Sequence, residues 1–152
     1  MRRMKSILSA ATTLMVSASL LMACGGSGDQ AEITQLKEET IAVHDEIMPQ
    51  ISSFDRNTVR IDSILLNLDS LKAINEGLDT AQLRADLTAL KSRLEGATDE
   101  MMTWMMEFDA DPQDMTNEEI KAYYQAELEK VKAMKGLFEE VSKESADKLA
   151  NY

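Results

Sequence analysis

The chain reads as all-α, an elongated antiparallel three-helix bundle, on three observations. From Gln30 onward apolar residues recur at three- and four-residue spacing, no stretch alternates apolar and polar residues as a half-buried strand does, and the mature region holds just two prolines, Pro49 and Pro112. The first helix carries Ile33, Leu36, Thr40, Val43 or His44, Ile47, Ile51, Phe54, Thr58, Ile61, Leu65 and Leu68 along one face. It reaches about Ile74, where Asn75-Glu76-Gly77 ends it. Pro49 lies inside this run, removing a backbone donor and crowding the carbonyl of Asp45. A kink near Pro49 is therefore expected. A break around residues 52–57, giving a four-helix bundle, is the alternative.

The second helix starts near Asp79-Thr80, either of which can cap it. Its core positions are Leu83, Leu87, Leu90, Leu94, Ala97, Met101, Trp104 and Phe108, whose spacings alternate between four and three as in a coiled-coil seam. This helix is roughly 42 Å long at a rise of 1.5 Å per residue. An acidic loop, Asp109 to Met115, follows, and Thr116-Asn117-Glu118-Glu119 reads as a capping box opening the third helix. The stripe there is Ile120, Tyr124, Leu128, Val131, Met134, Phe138, Val141 and Leu149. An up-down-up arrangement follows.

The first residues have another character. Met1-Arg2-Arg3-Met4-Lys5 is a positive n-region, and Ser6 to Leu21 is an apolar stretch too short and too rich in small residues to span a bilayer comfortably. The stretch Leu21-Met22-Ala23-Cys24 resembles the lipobox of bacterial lipoproteins, with Met22 a less usual occupant of its second position. That resemblance implies a signal peptide over residues 1–23, lipid on Cys24, and cleavage just before it. Several acyl chains at about 0.8 kcal/mol per buried methylene make such an anchor effectively permanent. Gly25-Gly26-Ser27-Gly28-Asp29 reads as a flexible tether over residues 24–29, leaving 30–152 as a single helical domain. Gram-negative lipoproteins retained in the inner membrane carry Asp after the cysteine. Gly25 stands there in this chain, so the resemblance implies the outer membrane, facing the periplasm.

Charge narrows the partners. The formal net charge is −11, and it becomes −14 once the three basic residues of the signal are removed. Nucleic acid and anionic headgroups are disfavoured partners for such a surface. Cys24 is the sole cysteine, so the fold rests on packing without an internal disulfide.

Methionine is the second anomaly. Five of the mature chain's methionines fall between Met101 and Met115, in and after the run Met101-Met102-Thr103-Trp104-Met105-Met106-Glu107-Phe108. At about 100° per residue Met101, Trp104, Met105 and Phe108 share the buried face, while Met102 and Met106 project away from it. Met102, Met106 and Met115 are accordingly candidates for a partner-binding or homo-oligomer surface. Folding the second helix back at Gly77 brings Met101 to Met105 opposite roughly Pro49 to Ser53, one turn from Met48 and the sole histidine, His44. His44, Met48, Met101, Met105 and Trp104 thus form an alternative, a Cu(I) site of soft ligands, in a periplasmic copper-binding protein. The residue types are similar to those of periplasmic copper chaperones, which are small β-barrels and share no motif with this chain.

Catalysis finds no support. There is no His-Glu-x-x-His, no nucleophile elbow and no glycine-rich phosphate loop. A di-iron bundle needs Glu three residues before its histidine, where Ile41 stands before His44. The loop from Asp109 places Asp114 where an EF-hand needs glycine and Ile120 where it needs glutamate. The expectation is a non-enzymatic structural or interaction module without a required cofactor.

The stretches Val43-His44-Asp45-Glu46-Ile47-Met48-Pro49 and Asp99-Glu100-Met101-Met102-Thr103-Trp104-Met105 together resemble a group of small uncharacterised bacterial lipoproteins, some labelled viral A-type inclusion protein homologues. The resemblance implies a helical cell-envelope lipoprotein and transfers no site residues.

Overall fold

The computed structural model describes residues 26–152, which are all-helical and contain no strand. Cys24, the expected signal segment and the expected cleavage site lie outside the described residues. The helices are α1 (Gly26–Leu66), α2 (Leu68–Ile74), α3 (Thr80–Glu107) and α4 (Asn117–Leu149). α1 takes in Gly26 to Asp29, four residues of the expected tether, and at 41 residues is about 62 Å long. No described helix is long and apolar enough to cross a membrane.

α1 continues through Pro49 and through residues 52–57, where a break was the alternative expectation. A proline inside a helix costs about 3 kcal/mol. Ile47 and Phe54, one turn either side, are almost completely buried, and each such burial returns roughly 1.5–3 kcal/mol only while the helix stays in phase. The interruption comes instead at Asn67. Its side-chain amide donates to the Ser63 carbonyl at 2.8 Å, and its backbone N–H turns to the Ile64 carbonyl at 3.1 Å. A side chain taking a helical acceptor is the local competition that makes asparagine poor inside helices. Phase survives the break: Leu68, at the start of α2, is buried and stands seven residues after buried Ile61.

The buried positions form heptads. On α1 and α2 they include Ile33, Thr40, Ile47, Phe54, Ile61 and Leu68; on α3 they are Leu83, Leu87, Leu90, Leu94, Ala97, Met101 and Trp104. Phe108, expected in that seam, is half-buried. α4 buries Tyr124, Leu128, Val131, Met134, Phe138, Val141 and Leu149, together with Glu127 and Ser145. Phe54 and Phe138 stack at the middle with ring centroids 4.8 Å apart.

Each of the three long helices packs against the other two. Between α1 and α4 the polar partners keep a nearly constant separation: Lys121 to Glu32 and Lys135 to Glu46 are 89 positions apart, Ser142 to Gln50 is 92, and Asn57 to Ser145 is 88. Constant separation means that the two helices run parallel. Between α3 and α4 it falls from 51 at Arg93–Glu144 to 23 at Trp104–Glu127, as it must for an antiparallel pair joined by a loop. Exposed ion pairs contribute about 0–1 kcal/mol each, so this ladder sets register more than stability.

Caps close the elements. Asp79 accepts from the N–H groups of Ala81 and Gln82 at 3.1 and 3.0 Å, and Thr116 forms the full reciprocal capping box with Glu119. These Thr116 bonds hold the Glu119 carboxyl below the usual carboxylate range. The loop before it turns through Asp114 at φ 63°, a left-handed conformation that aspartate tolerates better than most residues.

Candidate functional site

Near the N-terminal half of α1 the end of α3 and the start of α4 bring most of the aromatic residues together. Trp104 lies with its ring centroid 5.7 Å from that of His44 and 4.8 Å from that of Phe108. Phe108 continues the stack towards Tyr123 at 6.3 Å and Tyr124 at 6.2 Å. The tyrosines tie down the α3–α4 loop, Tyr123 accepting from the Asp109 N–H at 2.7 Å and Tyr124 donating to the Ala110 carbonyl at 2.9 Å. Burial holds both phenols above the usual tyrosine range, so they stay neutral at ordinary pH, Tyr123 accepting and Tyr124 donating.

Trp104 is fixed at both ends. Its ring sits in the aromatic row while its indole N–H donates to Glu127 Oε2 at 2.8 Å. Glu127 is 6% exposed, and its other oxygen accepts from Lys130 at 2.7 Å. Sequence reading missed this acid because the expected α4 stripe ran through Leu128. Its position, three after Tyr124 and four before Val131, was the available signal, along with a buried tryptophan in need of an acceptor.

The sequence candidates divide into two groups. Met101 is fully buried and Met48 is half-buried against the same core, so both are accounted for by packing. Met105, His44 and Trp104 instead line one open groove of about 230 Å³ with Ile41, Asp45 and Phe108. Met102, Met105 and Met106 are 45%, 39% and 80% exposed, and their spacing places them on neighbouring positions of the α3 surface. Ile41 is exposed on the α1 side of the groove. Met115 is exposed in the α3–α4 loop.

The sequence around this apolar patch is acidic. Between Arg93 and Lys121 the sequence has no basic residue, yet it holds Glu95, Asp99, Glu100, Glu107, Asp109, Asp111, Asp114, Glu118 and Glu119. A larger groove of about 410 Å³ lies between α1 and α4, but its polar groups are already used: Asn57 donates to Ser145, Ser142 to Gln50, and Arg60 to the Leu149 carbonyl. Val59, Leu66 and Ile74 are also exposed but stand seven and eight positions apart along α1 and α2, whereas at the methionine-rich end Met102, Met105 and Met106 lie within about one turn of one another.

Comparison of the chain with family profiles, curated proteins and solved structures yields no match.

Proposed function

We propose that this protein is a non-enzymatic, lipid-anchored helical module of the bacterial cell envelope that holds a protein partner at its methionine-rich end. The single observation that carries this reading is the exposed set Met102, Met105 and Met106 beside Ile41 and the Trp104 groove. Large contiguous apolar surface on a soluble domain is usually covered in use, and methionine's flexible thioether suits such contacts.

The acidic sequence from Glu95 to Glu119 favours a partner with an apolar centre framed by lysine or arginine. A second copy of the chain brings the same acidic sequence and, with the signal removed, the same net charge of −14, so repulsion opposes self-association through this end. In this reading the architecture is a three-helix rod in which α2 continues α1. Lipid on Cys24, two residues before α1, places the methionine-rich end next to the membrane and the Gly77 turn away from it. The lipobox resemblance supports the outer membrane, with the domain in the periplasm.

The decisive experiment places a photoactivatable residue at 102 or 106 of the full chain in living bacteria, with exposed Val59 as the control position. The expected result is one salt-sensitive adduct with a basic protein from 102 and 106 and none from 59. Equal labelling from all three positions, or self-adducts alone, overturns the reading. In the same cells, incorporated fatty acid should disappear on Cys24→Ser.

A further inference from the structure

Among the described residues, one buried side-chain nitrogen or oxygen lacks a hydrogen-bond partner, and it is His44 Nε2. Buried polar atoms are nearly always paired, so an orphan on a residue that lines the groove asks what it serves. The other ring nitrogen is engaged. Nδ1 lies 2.9 Å from Asp45 Oδ1, a carboxylate that can only accept, so Nδ1 carries the proton and Nε2 of the neutral ring keeps the lone pair. A carboxylate that orients an imidazole and raises its basicity is the usual outer partner of a metal-ligating histidine.

The rest of the groove is soft. Met105 supplies a thioether that is partly exposed, and Trp104 supplies a ring whose centroid lies 5.7 Å from that of the imidazole, fixed by its bond to Glu127. The Asp45 carboxylate, the hard donor in the lining, is already held by Nδ1. No group of three or more His, Cys, Asp or Glu side chains gathers as a metal cage among the described residues. Imidazole with thioether and no set of hard donors selects Cu(I) over zinc, calcium or magnesium, and an indole face attracts a cation placed above it.

We propose that this groove is a Cu(I) site in which His44 Nε2 and Met105 Sδ are the ligands and the Trp104 ring covers the ion. Met48 and Met101 belong to the core and take no part. The proposal stands independently of any protein partner, because it concerns the isolated chain and the ion alone.

The test is an anaerobic titration of the full chain carrying Cys24→Ser, which removes the thiol, a competing soft ligand. Copper is delivered from a chromophoric Cu(I) chelator, and Trp104, the sole tryptophan, is the reporter. One Cu(I) per chain withdrawn from the chelator, with quenched tryptophan emission, is the expected result. Met105→Leu and His44→Phe should each weaken the site at least tenfold, Met48→Leu and Met102→Leu should leave it unchanged, and Zn(II) should cause no quenching. Thermal melts of every variant identify any that unfold. If His44→Phe does so, Met105→Leu still decides, since its side chain is partly exposed and nearly conserved in volume. Failure to compete with the chelator, or affinity unchanged in Met105→Leu, overturns the proposal.

Discussion

The middle of the rod and its methionine-rich end are built on the same heptads but finish differently. Around Phe54 and Phe138 the heptad positions Ile47, Phe54, Ile61, Val131, Phe138 and Val141 are buried, and Val59 is a single exposed apolar residue on this stretch of α1. At the other region the seam is equally filled by Met101 and Trp104, yet Met102, Met105 and Met106 lie outside it. The comparison teaches that periodicity accounts for a core and leaves the apolar residues beyond it at the surface.

Substitutions should separate the two regions by size and kind of effect. Phe138→Ala removes half of the central stack and leaves a cavity, so unfolding in denaturant should show a loss of about 3–5 kcal/mol. Partner labelling at position 102 should be little changed in the fraction that remains folded. Glu127→Leu is the sharpest test at the other end. It strands the Trp104 indole N–H, whose desolvation costs about 1–3 kcal/mol, and should also shift tryptophan emission, which a change in the middle would not do.

Thr116→Ala removes the hydroxyl arm of the capping box and should lower stability by about 1 kcal/mol, read from thermal melts. The Glu119 arm gives this end a pH dependence. Its carboxyl titrates below the ordinary carboxylate range in the folded state, so its contribution is complete above that range and is lost as pH falls through the lowered folded value. The difference in melting temperature between the native chain and Glu119→Gln should therefore be present at pH 7 and should shrink below the unfolded carboxylate range. The smallest stability effect is expected from Met106→Gln, within about 0.5 kcal/mol, because the residue is largely exposed. If Met106→Gln leaves labelling at position 102 intact, the two residues do not share a contact surface.

Much of this was legible locally. The four-three spacing from Leu83 to Trp104 and the Thr116–Glu119 box can be read from neighbouring residues, since a helix's side-chain period and its cap are set within a turn or two. The alternative break at residues 52–57 does not occur, for a related reason: the cost of a helix interruption was weighed locally, while burial of Ile47 and Phe54 keeps the helix in phase through this stretch. Asn67 was passed over because its competing bond to Ser63 is open to many asparagines and depends on what the helix gains by continuing. Ser145 fills the gap left in the expected stripe between Val141 and Leu149. It was missed because its polarity is satisfied by Asn57, a residue 88 positions away.

By itself, the sequence determined that the chain is helical, where two of its helices are capped, and which face each helix buries, because these follow from short-range periodicity and backbone chemistry. The tertiary structure decided that α1 and α4 run parallel at a fixed register, that Glu127 is the buried acceptor of the indole, and that Met105 shares a groove with His44 while Met101 does not. Those outcomes depend on contacts between residues tens of positions apart, where small shifts of register move a side chain from core to surface and no local pattern records the choice.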